Sequence, residues 1–305
     1  MDGTAVVVTG ASTGIGRATA LHLDSIGLRV FAGVRRDRDG DELRRHSSGS
    51  LTPLRLDVTD AVQVAAAAGA VTEAVADGRL LGIVNNAGIA VAGPVEFVPL
   101  DDWRRQLEVN VLGVVAMVQA FTPLLRAGRG RVVTIGSMGG RLAQPMAAPY
   151  CASKYALEAI SDALRIELLP WDIGVSLVQP GAVRTPIWEK GMSAGGELLR
   201  AAPPQLRDLY GRAIEIAQRT AEHENETGVE PLEVARAVEH ALLAQRPRTR
   251  YPVGRQARVI IPLTRLLPDR LKDELILRVS KLPRKGEPTS ATRATRHTSS
   301  TPQPV

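Results

Sequence analysis

Tyr150 and Lys154 stand four residues apart in the run Pro149-Tyr150-Cys151-Ala152-Ser153-Lys154, a spacing that sets a phenol and an ammonium on one face of a helix. A phenol with an ordinary pKa near ~10 transfers protons poorly at neutral pH. A cation at roughly 5 Å and an effective dielectric of about 20 favours the phenolate by about 3 kcal/mol, enough to lower that pKa by roughly two units. The pair therefore predicts a proton-transfer group. The plainer reading is a packed ring beside a solvated lysine. Lysine is scarce, however, with five against thirty-three arginines, and Tyr155, Tyr210 and Tyr251 have no lysine four residues on. What else the chain supplies decides between the two.

The elements that would position the pair are legible as far as about residue 180. Short Val/Ala/Leu-rich runs alternate with amphipathic stretches, the pattern of βαβ units. Strands are expected at 5–9, 29–34, 51–57, 82–85, 131–137 and 174–179, with helices between them, the strongest at 15–25, 101–125 and 153–168. The fold class is α/β, a doubly wound parallel sheet flanked by helices, with ligands at the carboxyl ends of the strands where the topology reverses. From Pro186 to Gly228 the sheet rhythm stops, and this interval reads as a substrate-covering lid. A helix over 230–244 and a last strand over 249–253 follow. We read one catalytic domain over 1–256, an amphipathic helical extension over 257–283 and a disordered basic tail over 284–305.

Composition narrows the function classes. Hydrophobic residues at 44% and charged residues at 23% are ordinary for a globular chain. No run of eighteen or more apolar residues exists, and the chain enters a strand at once with no cationic leader, so the expected location is cytoplasmic. The single cysteine, Cys151, excludes an internal disulfide and any multi-cysteine metal site, and no metal is expected. The net charge of +6 suggests a nucleic-acid partner, but the tail supplies half of it through Arg284, Lys285, Arg293 and Arg296 against Glu287. No aromatic interleaving or DNA-reading helix accompanies that charge, which disfavours nucleic acid.

Thr9-Gly10-Ala11-Ser12-Thr13-Gly14-Ile15-Gly16 follows the first strand directly and opens a helix. Glycines there let a pyrophosphate approach the backbone, and the helix N-terminus offers unsatisfied N–H groups. Asp57, followed by Val58, ends the third strand, where its carboxylate accepts from an adenine amino group or caps the next turn. Asn85-Asn86-Ala87-Gly88 ends the fourth, where small residues admit adenosine or simply form a turn.

In this order the motifs resemble the short-chain dehydrogenase/reductase family, from about Thr4 to Val253, through the Gly-rich turn, Asp57, Asn86-Ala87-Gly88, Asn110, Ser137, Tyr150, Lys154 and Pro180-Gly181. The resemblance implies a Rossmann-type sheet, a nicotinamide dinucleotide and catalysis by Ser137, Tyr150 and Lys154, with Asn110 supporting a relay water. It gives Lys154 a second role on the nicotinamide ribose, and sets Val183 and Thr185 near the carboxamide. Gly10, Ser12, Thr13, Gly14, Ile15, Gly16, Arg35, Asp57, Val58, Asn86, Ala87, Gly88, Asn110, Tyr150, Lys154, Pro180, Gly181, Val183 and Thr185 are the expected cofactor residues. Val34 stands where an acidic residue would bind both ribose hydroxyls of NAD, and Arg35 suits a 2′-phosphate, so NADP(H) is favoured. Asp37 and Asp39 close by, and Thr13 in place of a cation, weigh against it.

Ile187, Trp188, Met192, Leu198, Leu199 and Leu206 make an apolar lid and predict a small lipophilic alcohol or carbonyl substrate. With the C-terminal extension they resemble the retinol and hydroxysteroid dehydrogenase branch. The segment 257–283 closes the pocket or a dimer contact, or touches a membrane surface peripherally, the first being favoured. The resemblance also implies a homodimer or homotetramer. The alternative to an enzyme is a non-catalytic dinucleotide-binding regulatory protein, which loss of Tyr150 or Lys154 would have supported; both are present.

Overall fold

Strand β1 (Thr4–Val8) carries four fully buried residues in succession, Ala5 to Val8, as a strand must when helices cover both faces of its sheet. The structure is a computed structural model describing residues 4–75, 79–187, 204–264, 266–280, 282, 283 and 289. Trp188, Met192, Leu198 and Leu199 of the expected lid, and nearly all of the basic tail, lie outside the described residues. With β2 (Arg29–Val34), β3 (Leu51–Arg55), β4 (Arg79–Asn85), β5 (Arg131–Ile135), β6 (Gly174–Pro180) and β7 (Arg250–Val253), β1 forms a seven-stranded sheet in the order β3-β2-β1-β4-β5-β6-β7. Every pairing is parallel.

Successive side chains of β1 point to opposite layers. Val6 and Val8 join the core beneath α1 (Gly14–Ser25), α2 (Asp37–Arg45) and a late helix, Pro231–Leu243. Ala5 and Val7 join the core beneath α3 (Ala61–Ala74) and the helix Gly113–Gly128. The chain winds from β1 outward to β3 and then crosses back to β4, so the crevice opens at the carboxyl ends of β1 and β4.

Two helices differ from expectation where it matters for chemistry. The segment expected as one helix over 101–125 is α4 (Leu100–Leu107), a π-helical turn (Glu108–Leu112) and α5 (Gly113–Gly128). The π turn holds buried Asn110, and a Cβ on Gly113 would sit 2.6 Å from the Val58 side chain, so this break fits against the β3–α3 loop. The next helix, α6, starts at Ala148 rather than Ser153 and runs to Glu167. Pro149 in its first turn costs no hydrogen bond, because the first amides of a helix have no partner inside it. Tyr150 and Lys154 consequently both lie on α6.

After β6, helix α7 (Pro204–Thr227) occupies the second half of the expected lid, and α8 (Pro231–Leu243) leads to β7. The extension forms α9 (Arg255–Thr264) and α10 (Asp269–Ser280). Ala257 and Ile261 of α9 pack on Met138, which ties the extension to the turn after β5.

Candidate active site

Ser137 follows the carboxyl end of β5 and opens a short 3-10 turn, Met138–Gly140. Its Oγ accepts a hydrogen bond of 3.0 Å from the Gly139 amide, and its hydroxyl also hydrogen-bonds the phenol of Tyr150. One glycine allows this approach: a Cβ on Gly140 would come within 2.8 Å of the Lys154 carbonyl, whereas one on Gly139 would make only ordinary contacts with Ser137, Tyr150 and Cys151 at 3.4–3.5 Å. The turn thus lies flat against the first two turns of α6.

Both members of the α6 pair are buried, Tyr150 at 9% exposure and Lys154 at 6%. The Lys154 ammonium sits 5.7 Å from the Tyr150 ring centroid and donates a 2.8 Å hydrogen bond to the Ile135 carbonyl at the end of β5. Burial pushes the Tyr150 phenol up to about 12, with the Ser137 hydrogen bond opposing it, and brings Lys154 down to about 8. This corrects the expectation of a phenolate held by its neighbour. Desolvation penalises both charged forms and is the largest influence on each, because both side chains are mostly buried at the foot of the cleft. At neutral pH the resting pair is a protonated phenol beside an ammonium.

Asn110 is held in a buried hydrogen-bond network. Its Oδ1 accepts from the Ile89 amide at 2.8 Å, and its Nδ2 donates to the Ile89 carbonyl at 3.0 Å and to Ser153 Oγ at 3.1 Å. Ser153 in turn donates to the Tyr150 carbonyl at 2.7 Å. Gln106 completes the clamp, accepting from Val91 N at 2.7 Å and donating to Ile89 O at 3.0 Å. Sequence reasoning passed over Gln106 and Ser153. The available signal was an uncharged Gln between Arg105 and Leu107 in an otherwise strongly charged stretch.

A cleft of about 620 Å³ runs from the Gly-rich turn to Ser137, Tyr150 and Lys154. All the expected cofactor residues line it except Gly16 and Asn110. Gly16 serves packing instead, since a Cβ there would lie 2.2 Å from the Gly10 carbonyl and 2.3 Å from Asn86 Nδ2. Gly10 and Gly14 take positive φ of 64° and 57°, conformations that favour glycine, and Gly14 leaves room for Thr185 across the cleft. Asn86 Nδ2 donates to the carbonyls of Thr9 and Gly10, closing β4 onto β1. Asp57 caps its own turn by accepting from the Thr59 amide and hydroxyl while still lining the cleft. This cradle of bare backbone, ending at a lysine and two hydroxyls, fits a nicotinamide dinucleotide: the glycines admit the pyrophosphate at the head of α1, and Lys154 stands within the same wall.

Next to Ser137 in the chain, Met138 lines a second, apolar cavity of about 280 Å³, bounded also by Leu142 and Met146, by Ile214 and Ala217 of α7, and by Ile260 of α9. Met146 holds a left-handed φ of 66°, and its carbonyl accepts from Gly93 at 2.7 Å, fixing the cavity rim. Helix α7 is pinned at both ends. Tyr210 donates to Glu96 at 2.8 Å and stacks edge-on against Phe97, while Asn225 accepts from the Thr185 amide at 3.1 Å. The extension also has an outer side, where Val259, Leu266 and Leu271 are exposed.

Residues 4–194 match the short chain dehydrogenase family model. Retinol dehydrogenase 16 of Homo sapiens is 36% identical over 286 residues, covering 92% of this chain and 90% of that protein. Among solved structures, a short chain dehydrogenase/reductase from Burkholderia phymatum in complex with NAD superposes with a TM-score of 0.72 at 27% identity, covering 90% of this chain and 95% of that one. A short chain dehydrogenase from Burkholderia cenocepacia in complex with NADP gives 0.67 at 26% identity, over 89% and 96% of the two chains.

Proposed function

The chain belongs to the short-chain dehydrogenase/reductase family, an oxidoreductase family, in its retinol and hydroxysteroid dehydrogenase-like branch, and from that premise we propose that it interconverts a lipophilic alcohol and its carbonyl with NADP(H), Tyr150 serving as acid and base. One observation carries the reading: Ser137, Tyr150 and Lys154 line one cleft with the glycine cradle, and Met138, next to Ser137, lines the apolar cavity. A nicotinamide, when bound, supplies or accepts the hydride. The protein's own part is to hold the reacting oxygen and move its proton.

In reduction, the protonated Tyr150 phenol donates to the carbonyl oxygen, and in oxidation the deprotonated phenol takes the hydroxyl proton. The Gly139 amide fixes Ser137 Oγ as an acceptor, leaving its own proton to be donated to the substrate oxygen as charge develops there. Lys154 is held on the Ile135 carbonyl, and its ammonium favours the phenolate during turnover as well as offering donors to ribose hydroxyls. The Asn110–Ser153 clamp keeps the loop of Ile89 and the first turn of α6 in register.

The cofactor preference rests on Arg35. It lines the cleft, and among the described residues no hydrogen bond or ion pair joins its guanidinium. The two acids that weighed against NADP are occupied, Asp37 by Arg55 at 3.2 Å and Asp39 by Arg36 at 3.4 Å. A charge-assisted bond to a 2′-phosphate is worth about 1.5–3 kcal/mol. With an apolar ketone as substrate, kcat/KM for NADPH should exceed that for NADH by about ten- to a hundredfold, and Arg35→Ala should bring the two close to parity. Preference for NADH would overturn the cofactor assignment. Absence of turnover on aliphatic, steroid and retinoid carbonyls and alcohols with either nucleotide would overturn the function.

Homo-oligomerisation is supported by apolar side chains left exposed on adjacent helices, Leu112 at 52%, Tyr155 at 44% and Ile166 at 64%. Light scattering should give a mass of at least twice the 32.6 kDa chain. A 32.6 kDa particle at micromolar concentration would refute it.

A further inference from the structure

Among the described residues the apolar cavity is lined by one carboxylate, Glu224, on the last turn of α7. Its position is fixed by backbone contacts around it rather than by its own side chain. The Glu224 carbonyl accepts from Gly228 at 2.9 Å, Val229 donates to Ala182 at 3.0 Å, and neighbouring Asn225 accepts from Thr185. A Cβ on Gly228 would meet Ala182 and Val183 at 2.9 Å, so this end of α7 is seated on the segment after β6 that also lines the cofactor cleft. Among the described residues no hydrogen bond or ion pair joins the Glu224 carboxylate. Its charge is nevertheless felt at the Tyr150 phenol, and burial raises its own pKa, with His223 opposing.

A half-buried carboxylate among apolar walls carries a desolvation cost that a ligand bearing donors would relieve. Nothing in the fold or in the proton transfer by Tyr150 requires an acid here. We propose that Glu224 is a specificity-determining residue that receives a hydrogen-bond donor, hydroxyl or ammonium, carried by the lipophilic substrate close to its reacting carbon. The inference rests on the oxidoreductase reading and narrows its substrate to apolar chains bearing a second polar group, such as diols and amino alcohols. A plain hydrocarbon alcohol leaves Glu224 without a partner when the cavity fills, which weakens its binding.

The test compares alcohols matched in chain length, with and without an amino or hydroxyl group on the neighbouring carbon, in the wild type, Glu224→Gln and Glu224→Leu. Wild type should favour the donor-bearing member by about tenfold or more in kcat/KM, the effect of one hydrogen bond to a charged group. Glu224→Leu should collapse that ratio towards one, chiefly through KM. Glu224→Gln should keep part of the preference for the diol and lose the preference for the amino alcohol. A ratio unchanged in Glu224→Leu overturns the proposal. Equilibrium binding of dodecylamine and 1-dodecanol, followed calorimetrically with no turnover, separates it from the functional reading. If no substrate reacts yet Glu224→Leu selectively loses the amine, the carboxylate subsite stands and the reaction assignment falls. If the amine binds equally to both proteins, the subsite falls whatever the activity.

Discussion

Tyr150→Phe should lower kcat/KM in both directions by about 10²–10⁴-fold, the contribution of a positioned acid–base group, while leaving the fold nearly as stable. The ring stays in the small cluster with Ala90, Ala147 and Cys151, and only one hydroxyl and its bond to Ser137 are lost. Steady-state kinetics with either nucleotide, alongside a thermal melt, makes the check. Wild-type turnover in this variant would remove Tyr150 from the mechanism.

The pH dependence has a sign that follows from burial. With the phenol at about 12 and Lys154 at about 8, both groups carry their protons below pH 8. The phenol is then ready to donate, so carbonyl reduction should be level through neutral pH. Alcohol oxidation needs the deprotonated phenol and should climb as pH rises above neutral. Profiles of log kcat/KM in the two directions should therefore diverge in the wild type, and the divergence should vanish in Tyr150→Phe. Parallel profiles in the wild type would count against Tyr150 as the proton carrier.

The second large effect is on stability. Glu158, two helical turns after Tyr150 on α6, is 6% exposed and holds Arg250 at 3.0 Å, Arg141 at 2.5 Å and the amide of Gln179. Arg250 also reaches Asp162 at 2.8 Å, which keeps that carboxyl low, at about 2. This network ties the catalytic helix to β6, β7 and the turn after Ser137. Glu158→Ala strands the partly buried guanidinium of Arg141, leaves Arg250 to Asp162 alone, and should cost about 3–5 kcal/mol. At roughly 2–4 °C per kcal/mol for a chain of this class, the melting temperature should fall by about 6–20 °C. A double variant, Glu158→Leu with Arg141→Met, should recover part of the loss, because it removes the orphaned charge along with its partner. A change under about 2 °C in Glu158→Ala would show the network to be incidental.

Much of this arrangement is legible before any coordinates. Local pattern is strong in a parallel sheet, because strands buried on both faces are nearly continuous apolar runs, so the strands were recognisable within a few residues of their observed bounds. The glycines at 10 and 14 and the order of Asn86, Ser137, Tyr150 and Lys154 marked the cleft. Helix ends were less legible: α6 begins five residues before expectation because Pro149, which looks like a breaker, is well placed in a first turn. The π turn at Asn110 has no periodic signature, since it arises where Asn110 must reach Ile89 and Ser153 at once.

The sequence by itself determined the fold class and the family, and it singled out the candidate reacting side chains, because these depend on residue type, spacing and short-range pattern. The tertiary structure decided what those side chains are in the resting state. Tyr150 and Lys154 are adjacent in either view, but only packing shows that both are largely buried, which raises the phenol where the spacing alone predicts that it is lowered. Packing likewise turned Asn110 into a clamp, tied up Asp37 and Asp39 beside Arg35, and brought Glu224 from 74 residues away to the edge of the same site. Desolvation and long-range contact belong to the folded molecule, and no local pattern in the chain encodes them.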